Sequence, residues 1–332
     1  MDEIITLDYG SGGKKTSRLI EKMIVPALDN PALRELGDGA VLDGAEKLVF
    51  STDSFVVDPI FFPGGDIGKL SVCGTVNDIA MCGGVPKFLS CSFIIEEGFP
   101  VKALEKVIAS IGAACKKAGV QVVTGDTKVV EKGRGDKIYI NTAGIGVLKY
   151  PGLSPKAIRA GDKVIVSGTV GDHGSAVMLA RNGMMQGEIR SDCAPLNALA
   201  DAVLSGNAGV RVLRDPTRGG VATTLNEFVE DSGLGIEIEE DKIPVRPQVQ
   251  AACELLGLDP MYCANEGKLL CVVDPEDTEK ALAAMKSLPE GENAAVIGSV
   301  SARYPGKLVM NTAFGGSRIL QKLTGAQLPR IC

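Results

Sequence analysis

The most reactive side chain suggested by the sequence is the cysteine at its last position. The chain finishes in Gln-Leu-Pro-Arg-Ile-Cys, which places a thiol at Cys332. Residues near a terminus are usually frayed and solvated, whereas most cysteines are buried and behave as small apolar side chains. Gly325 and Pro329 precede the thiol, and both disfavour a helix. We therefore expect residues 321–332 to form a mobile tail that carries Cys332 to other sites.

A second set of reactive side chains consists of aspartates at predicted strand ends and helix starts. Each lies beside Gly, Thr, Ser or Asn: Asp38, Asp53, Asp78, Asp126 and Asp215. Carboxylates in such places can gather around Mg²⁺, which takes few protein ligands together with substrate phosphates. Neighbouring glycines and threonines can donate hydrogen bonds to phosphate oxygens. A single aspartate of this kind is more often a helix cap or turn residue, so a site requires that several of them converge.

Glycine-rich segments offer further contacts for phosphate. The stretch YGSGGKKTS, which contains Gly12 and Gly13, precedes a predicted helix and can fold over phosphates. A flexible N-terminal loop is the alternative interpretation of that stretch. Neither a Walker A motif nor a Rossmann fingerprint is present, because GGDIGKL has leucine where Ser or Thr is required.

Three further polar residues are candidates for proton transfer. Lys128 follows Asp126 by two positions, and Glu266 directly precedes a predicted strand. Lys and Glu are mostly solvated surface residues, so each alone is weak support for catalysis. His173 is the only histidine and lies at a predicted strand-to-helix turn, where a cap or packing role is the more common one. A single histidine and the lack of a CxxC pair argue against a histidine-based triad and a structural zinc site.

The elements that must position these residues alternate between strand and helix. In the first part, strands are predicted at 47–57, 86–96, 120–126 and 137–148, and helices at 65–84 and 101–119, the latter closed by Gly119. In the second part, strands are predicted at 163–170, 235–240, 268–274, 294–300 and 307–313, and helices at 174–183, 218–233, 249–258 and 277–288, with a short helical stretch after Gly316. The pattern predicts an α/β (α+β) fold of two mixed domains.

Proline and glycine cluster between the two parts and mark a boundary near residue 152. We expect an N-terminal domain at 1–152, a C-terminal domain at 153–320 and a tail at 321–332. The net charge of −6 and the short basic runs make nucleic acid a poor partner. No apolar run reaches the ~18 residues of a membrane span, and the acidic N-terminus lacks the features of a secretory signal. A cytoplasmic location is expected, with most of the nine cysteines as reduced, buried thiols.

Several of these stretches together resemble one known family, the HypE hydrogenase maturation proteins. This family belongs to the wider group of aminoimidazole ribonucleotide (AIR) synthetase and selenophosphate synthetase. The resemblance spans essentially the whole chain in the right order, and the stretches that carry it are DYGSGGKKTSRLI, STDSFVV, GTVNDIAMCGG, TGDTKVV, DPTRGGV, ANEGKL and the final PRIC. It implies AIR-synthetase-like domains, a homodimer whose N-terminal strands close a β-barrel, and ATP in a groove between domains.

The resemblance also implies a function. A carbamoyltransferase, HypF, would place a carboxamide on Cys332. The chain would then use ATP to dehydrate the S-carboxamide to an S-thiocyanate. The cyanide would pass to iron held by a HypC–HypD complex, for the Fe(CN)₂CO centre of a [NiFe]-hydrogenase. A mobile tail suits three such destinations.

Roles for individual residues follow only from the resemblance. Cys332 would carry the substrate, Glu266 would be the main base and Lys128 would assist it with protons. The expected nucleotide contacts are Gly12, Gly13, Thr52, Asn77, Gly125, Thr127, Asp215, Thr217 and Arg218. The expected Mg²⁺ or phosphate-edge residues are Asp38, Asp53, Asp78 and Asp126. We also expect the nearby terminal carboxylate to raise the pKa of the Cys332 thiol.

Two other functions stay open at this point. The first is another ATP-dependent small-molecule synthetase of the same superfamily. Selenophosphate synthetases carry a cysteine or selenocysteine in the glycine-rich loop, where this chain has Ser11. The second is a thiol carrier without catalysis, in which Cys332 ligates iron and the aspartate-rich loops have no role.

Overall fold

The structure is a computed structural model, and it describes most of the chain. The described residues are 3–11, 14–34, 40, 42–184, 189–206, 209–322, 325, 328 and 331–332. Of the expected site residues, Gly12, Gly13 and Asp38 lie outside these ranges.

The first part of the chain forms a four-stranded sheet with helices on one face. Its elements are α1 (Lys14–Leu19), α2 (Val25–Leu28), α3 (Pro31–Arg34), β1 (Leu48–Phe55), β2 (Phe61–Phe62), β3 (Gly65–Asp66), α4 (Ile67–Met81), β4 (Gly84–Glu96), α5 (Val101–Ala118), β5 (Gln121–Val130) and β6 (Ile138–Leu148). The sheet order is β1-β6-β4-β5, and only the β4–β5 pair is parallel. Alternation along the strands buries Phe55, Leu89 and Phe93 on the face toward α4, whereas the other face exposes Leu48 and Phe50.

The second part forms a larger sheet with its own helices. Its elements are β7 (Lys163–Val166), α6 (Asp172–Arg181), α7 (Asn197–Leu204), β8 (Val210–Arg214), α8 (Gly220–Ser232), β9 (Gly235–Glu239), α9 (Pro247–Leu256), β10 (Leu270–Val273), α10 (Thr278–Lys286), β11 (Ala295–Ser301), β12 (Leu308–Asn311) and β13 (Ser317–Leu320). The seven strands lie in the order β13-β12-β9-β11-β7-β10-β8. The predicted mixed α/β fold is confirmed.

Helix α5 shows how the local sequence sets an element. Its buried residues recur at helical spacing, as in Leu104, Val107, Ile108 and Ile111. The helix ends where Gly119 adopts a φ of 70°, a left-handed conformation that glycine adopts without a steric penalty. The predicted helix and its glycine stop are both confirmed.

The short helix predicted after Gly316 is wrong. Residues Ser317–Leu320 are strand β13 and pair antiparallel with β12. The intervening turn closes by a hydrogen bond from the Thr312 N–H to the Gly316 carbonyl, with Gly315 at a φ of 83°. A hairpin satisfies the backbone groups of both strands and buries Leu320, which outweighs the helical spacing of so short a segment.

Helix α4 joins the two parts of the molecule. The Asn77 side chain on this helix is buried and uses both ends of its amide on the second part. It donates to the Ala194 carbonyl at 3.2 Å and accepts from the Leu196 N–H at 2.8 Å. Within the described ranges, no helix is long and apolar enough to cross a membrane.

Candidate active site

Glu266 is a deeply buried carboxyl group in the loop that enters β10. It is 2% exposed, and its Oε1 atom has no hydrogen-bond partner among the described residues. The loop is held from both sides, because the Glu266 N–H donates to Asp192 and the Glu266 carbonyl accepts from Ala194. Burial, the leading cause, raises the pKa of Glu266 well above its usual range. A carboxyl with a raised pKa is suited to exchange protons near neutral pH.

The next residue explains how the chain can approach so closely at this point. A side-chain carbon added at Gly267 would lie 1.9 Å from the Asp192 carbonyl oxygen. Only glycine therefore allows the 266–267 segment to pack against the segment containing Asp192. This close approach fixes the depth at which Glu266 lies.

The tail end lies beside Glu266. The Cys332 main-chain oxygen accepts a hydrogen bond from the Val56 N–H at 3.1 Å, and the Ile331 side chain is buried in the first core. Burial is the leading cause that raises the pKa of the Cys332 thiol, and the charge of Glu266 adds to it. The expected direction of this shift agrees with the structure, but its first cause is burial.

His173 contacts the tail, which no pattern in the sequence indicated. The imidazole Nε2 lies 2.8 Å from the Ile331 carbonyl oxygen, and Nδ1 lies 2.8 Å from Ser191 Oγ. The ring is fully buried and packs edge-on against Phe62, which is the packing role expected of a lone histidine. A partner 158 residues away leaves no local pattern in the sequence.

Three of the expected aspartates gather near Glu266. Asp53 lies on β1, Asp78 on α4 and Asp215 directly after β8. Burial is the leading cause that raises the pKa of all three carboxyls, to about 7 for Asp215. The charge of Asp53 adds to the shift of Asp78, and the charges of Asp78 and Asp53 add to that of Asp215. Ser51 donates to Asp78 at 2.7 Å, and the Arg218 guanidinium lies 3.8 Å from Asp53.

The pair Asp53 and Asp78 suits a hard cation that shares its ligands with phosphate. Carboxylate oxygens are the ligands Mg²⁺ prefers, and one or two of them suffice when phosphates complete the shell. In the described part of the chain, no three His, Cys, Asp or Glu side chains together form a metal-binding group. The residues present therefore fit an ion that arrives with a nucleotide rather than one caged by protein alone.

The remaining expected residues form a second group, on β5. Gly125, Asp126, Thr127 and Lys128 line a cavity of about 400 Å³, together with Thr16 and Ser17 from the N-terminal segment. Lys128 pairs with Asp126 at 2.8 Å and, as the leading cause, lowers the pKa of that carboxyl.

This second group is separate from the acidic cluster. In the sheet register, the row that contains Gly125 continues through Cys91 and Thr142 to Asp53 at the opposite edge. Three strand spacings correspond to roughly 14 Å. The structure thus places Asp126 and Lys128 away from Asp53 and Asp78 within one chain.

Two other expected nucleotide contacts have partners within the protein. Thr52 lies on the exposed face of β1 and donates to the Thr142 carbonyl at 3.0 Å. The Thr217 N–H donates to the Asp215 carbonyl at 3.0 Å, which forms the tight turn before α8. The Asn77 side chain already bonds Ala194 and Leu196 at the junction of the two parts. Asp215, Thr217 and Arg218 approach the acidic cluster from the second part of the chain.

Both parts of the chain match models of known protein families. The model for "AIR synthase related protein, N-terminal domain" matches residues 36–148, and the model for the corresponding C-terminal domain matches residues 159–311. The two mixed α/β units and the acidic cluster at their junction therefore define an AIR synthase-related protein.

Individual relatives narrow the assignment. The carbamoyl dehydratase HypE of Rhizobium leguminosarum bv. viciae is 51% identical over 99% of this chain and 95% of its own length. A solved structure of hydrogenase maturation protein HypE in complex with ATP superposes with a TM-score of 0.95, at 49% identity over 98% of this chain and 99% of that one. A HypE–HypF complex gives a TM-score of 0.80 at 51% identity, over 92% of this chain and 99% of that one. The chain belongs to the HypE family of carbamoyl dehydratases, enzymes of hydrogenase maturation, as the sequence motifs predicted.

Proposed function

We propose that this chain uses ATP to convert an S-carboxamide on its own Cys332 into an S-thiocyanate. The observation that carries the proposal is the position of the tail. The Cys332 backbone is anchored to Val56, and its sulfur lies within the electrostatic reach of the buried Glu266 carboxyl. A carboxamide attached to that sulfur would enter the same enclosed space.

The chemistry requires a leaving group and removal of two protons. An amide oxygen leaves poorly, so ATP transfers a phosphoryl group to it and releases ADP. One N–H proton is lost as the C=N bond forms, and the second is lost as phosphate departs and the C≡N bond is completed. The balance is one carboxamide and one ATP giving one thiocyanate, ADP, phosphate and a proton.

Glu266 is the residue we propose as the base for the N–H protons. Its Oε1 has no hydrogen-bond partner in the described part of the chain, so it can accept a proton without first breaking a hydrogen bond to those residues. Its raised pKa increases its strength as a base once ionised. The enclosure also excludes water, which would otherwise compete for an activated carboxamide.

The nucleotide site we propose extends from the acidic cluster to the β5 cavity. A HypE neighbour of 49% identity was solved with ATP, which supports ATP as the substrate here. Asp53 and Asp78 would hold Mg²⁺, which when bound supplies charge neutralisation for the transferred phosphoryl group. Gly125 and Thr127 would offer backbone and hydroxyl contacts to the nucleotide, and Lys128 would assist with charge or protons there.

A homodimer is part of the proposal. The sheet face that exposes Leu48 and Phe50 carries an apolar row in which Phe50, Ile145 and Phe88 are paired in register across β1, β6 and β4. Ile94 is exposed near the other end of the same face. Two such faces packed together would form the expected barrel and bury these side chains. Lys128 is paired in register with Ile94 and so stands on the same face, where a second copy would bring a second Lys128.

We propose HypF as the source of the carboxamide, since a related HypE was solved in complex with HypF. The cyanide of the thiocyanate would then pass to iron held by a HypC–HypD complex for a [NiFe]-hydrogenase, in the cytoplasm, and would leave the thiol on Cys332. Because the tail must reach these partners, the proposal requires that Cys332 leave the position seen in this structure and return to it.

Intact mass spectrometry tests the proposal. The chain is incubated with HypF, carbamoyl phosphate, ATP and Mg²⁺, and its mass is followed over time. We expect a mass gain of one carboxamide followed by a loss of one water, with both changes absent in Cys332→Ala. A carbamoylated protein that hydrolyses ATP but keeps its carboxamide would overturn the proposal.

A further inference from the structure

We propose that His173, oriented by Ser191, is a positioning residue that holds the C-terminal segment where Cys332 reacts. The inference rests on the proposed function, because it assigns a role in docking the substrate-bearing tail. It starts from a side chain that the mechanism above does not use.

Hydrogen-bond chemistry requires a hydrogen on one particular nitrogen of the ring. The Ile331 carbonyl can only accept, so the His173 Nε2 must carry a hydrogen and donate it. Ser191 Oγ accepts from the Cys193 N–H at 3.0 Å and is therefore free to donate its own hydrogen to Nδ1. The chain of donors runs from Cys193 through Ser191 and His173 to Ile331. In this arrangement a neutral imidazole has its single N–H on Nε2, directed at the tail.

The surroundings of the ring favour this neutral form. His173 is fully buried, and burial lowers its pKa below the usual range. Phe62 packs edge-on at 5.4 Å between ring centroids and restricts rotation of the imidazole. The His173 side chain thus presents one oriented donor at all pH values near neutrality.

One short segment holds both the base and the tail. Ser191 orients His173, Asp192 accepts from the Glu266 N–H, and the Ala194 N–H donates to the Glu266 carbonyl. The segment is itself tied to the first part of the chain by the Ser191 N–H, which donates to the Pro63 carbonyl at 2.8 Å. Because residues 191–194 contact both groups, the distance between Glu266 and the docked tail is set by a single piece of backbone.

The strength of such a contact suits a tail that must also leave. A single hydrogen bond shifts an equilibrium by roughly two- to tenfold, so it biases the tail toward docking without trapping it. The second tail contact, from the Val56 N–H to the Cys332 oxygen, is a backbone bond that side-chain substitution leaves in place. Removal of the His173 donor should therefore weaken docking without abolishing it.

Thiol accessibility provides the first test. Cys332 is alkylated with iodoacetamide under native conditions, and its labelling is followed on the 323–332 peptide that cleavage after Lys322 releases. His173→Phe keeps a ring but has no donor, and we expect roughly five- to tenfold faster labelling of Cys332. His173→Gln retains an N–H and should restore most of the protection. Ser175→Ala, a buried change on the same helix near Cys253, is the matched control and should label like the parent chain.

A single-turnover assay provides the second test. Each variant is incubated with HypF, carbamoyl phosphate and ATP, and the gain of one carboxamide and its later loss of one water are followed by mass over time. We expect His173→Phe to slow this step roughly five- to tenfold while the amount of carbamoylated protein formed with HypF stays the same or rises. His173→Gln should recover the dehydration rate, which a general loss of structure would not allow.

The two tests separate the possible outcomes. If the unmutated carbamoylated chain loses no water with ATP, the proposed function fails, and the labelling result still reports on the role of His173. If the unmutated chain reacts but His173→Phe matches it in both labelling and dehydration, the positioning role is wrong. Equal defects in His173→Phe and His173→Gln would also contradict it, because the donated N–H would then not be what matters.

Discussion

At the scale of single residues, the site depends on burial of an acid. A carboxyl at the surface titrates near pH 4 and would be a weak base. Glu266 is withdrawn from water and lies near Cys193, Asp215 and Asp192, and one of its oxygens has no hydrogen-bond partner among the residues that the structure describes. These features raise its pKa and make it able to take a proton from nitrogen.

Substitution of Glu266 tests this role directly. We expect Glu266→Gln to slow single-turnover dehydration by roughly 10²–10⁴-fold, because Gln cannot accept the proton. In the unmutated chain the rate should rise as pH increases toward the raised pKa of Glu266, because a larger fraction of the carboxyl is then ionised.

The pH profile of Glu266→Gln should lose that rise. The control is Glu254→Gln, an exposed change on α9 that should leave both rate and profile unchanged. If the dehydration rate of Glu266→Gln still rises with pH as in the unmutated chain, the base is another residue.

Asp215 gives a prediction about stability. Its pKa is raised to about 7 in the folded state, mainly by burial, so the folded protein binds a proton that the unfolded chain has released above pH 4. Stability from this group is therefore present at low pH and lost as pH rises from about 4 to about 7. We expect this loss to be roughly 2–4 kcal/mol, and Asp215→Asn to remove that part of the pH dependence.

Urea unfolding at pH 5, 6 and 8 without divalent cations measures the effect. The gain in unfolding midpoint of Asp215→Asn over the unmutated chain should be larger at pH 8 than at pH 5. Asp231→Asn, an exposed change, should show no such difference. An equal shift of Asp215→Asn at all three pH values would contradict the assignment of the raised pKa to this carboxyl.

At the scale of elements, α4 holds the two parts of the chain together through Asn77. The amide satisfies one carbonyl and one N–H that are buried at the junction, so its removal leaves both unpaired. We expect Asn77→Ala to lower the free energy of unfolding by about 1–3 kcal/mol. The resemblance assigned Asn77 to the nucleotide, and that role predicts weaker ATP binding instead.

Chemical denaturation and ATP titration together separate these roles. Asn182→Ala is the control, since that amide bonds a carbonyl of its own helix at an exposed end and should cost little. Loss of ATP affinity with unchanged stability in Asn77→Ala would favour the nucleotide role over the structural one.

At the scale of the whole molecule, the apolar face of the first sheet leads to a prediction about assembly. Phe50 is 67% exposed on the edge strand β1, two residues from Leu48 on the same face. We expect the unmutated chain to sediment as a dimer and Phe50→Asp to sediment as a monomer, because a carboxylate would be buried in the interface.

A second exposed phenylalanine supplies the matched control. Phe314 is 100% exposed at the turn between β12 and β13, on the other sheet. Phe314→Asp should remain dimeric in analytical ultracentrifugation. Dissociation by Phe314→Asp rather than Phe50→Asp would move the interface to the second sheet.

The sequence by itself determined the element types, the α/β class and the family. Helix α5 and its stop at Gly119 follow from neighbouring residues, because spacing and glycine conformation act over a few positions. The stretches around Asp53, Asp215 and Glu266 identified the family for the same reason, since each is a short local pattern. The segment after Gly316 was wrongly predicted to be helical, because in so few residues the sequence pattern of a helical turn and that of a hairpin strand are hard to distinguish.

Only the tertiary structure decided which of these residues meet. It gathered Asp53, Asp78 and Asp215 and placed Lys128 at the far edge of the same sheet. It also joined His173 to Ile331 across 158 positions. Burial, pKa and long-range hydrogen bonds depend on segments that are remote in the chain, and no local pattern encodes which remote surface will cover a given side chain.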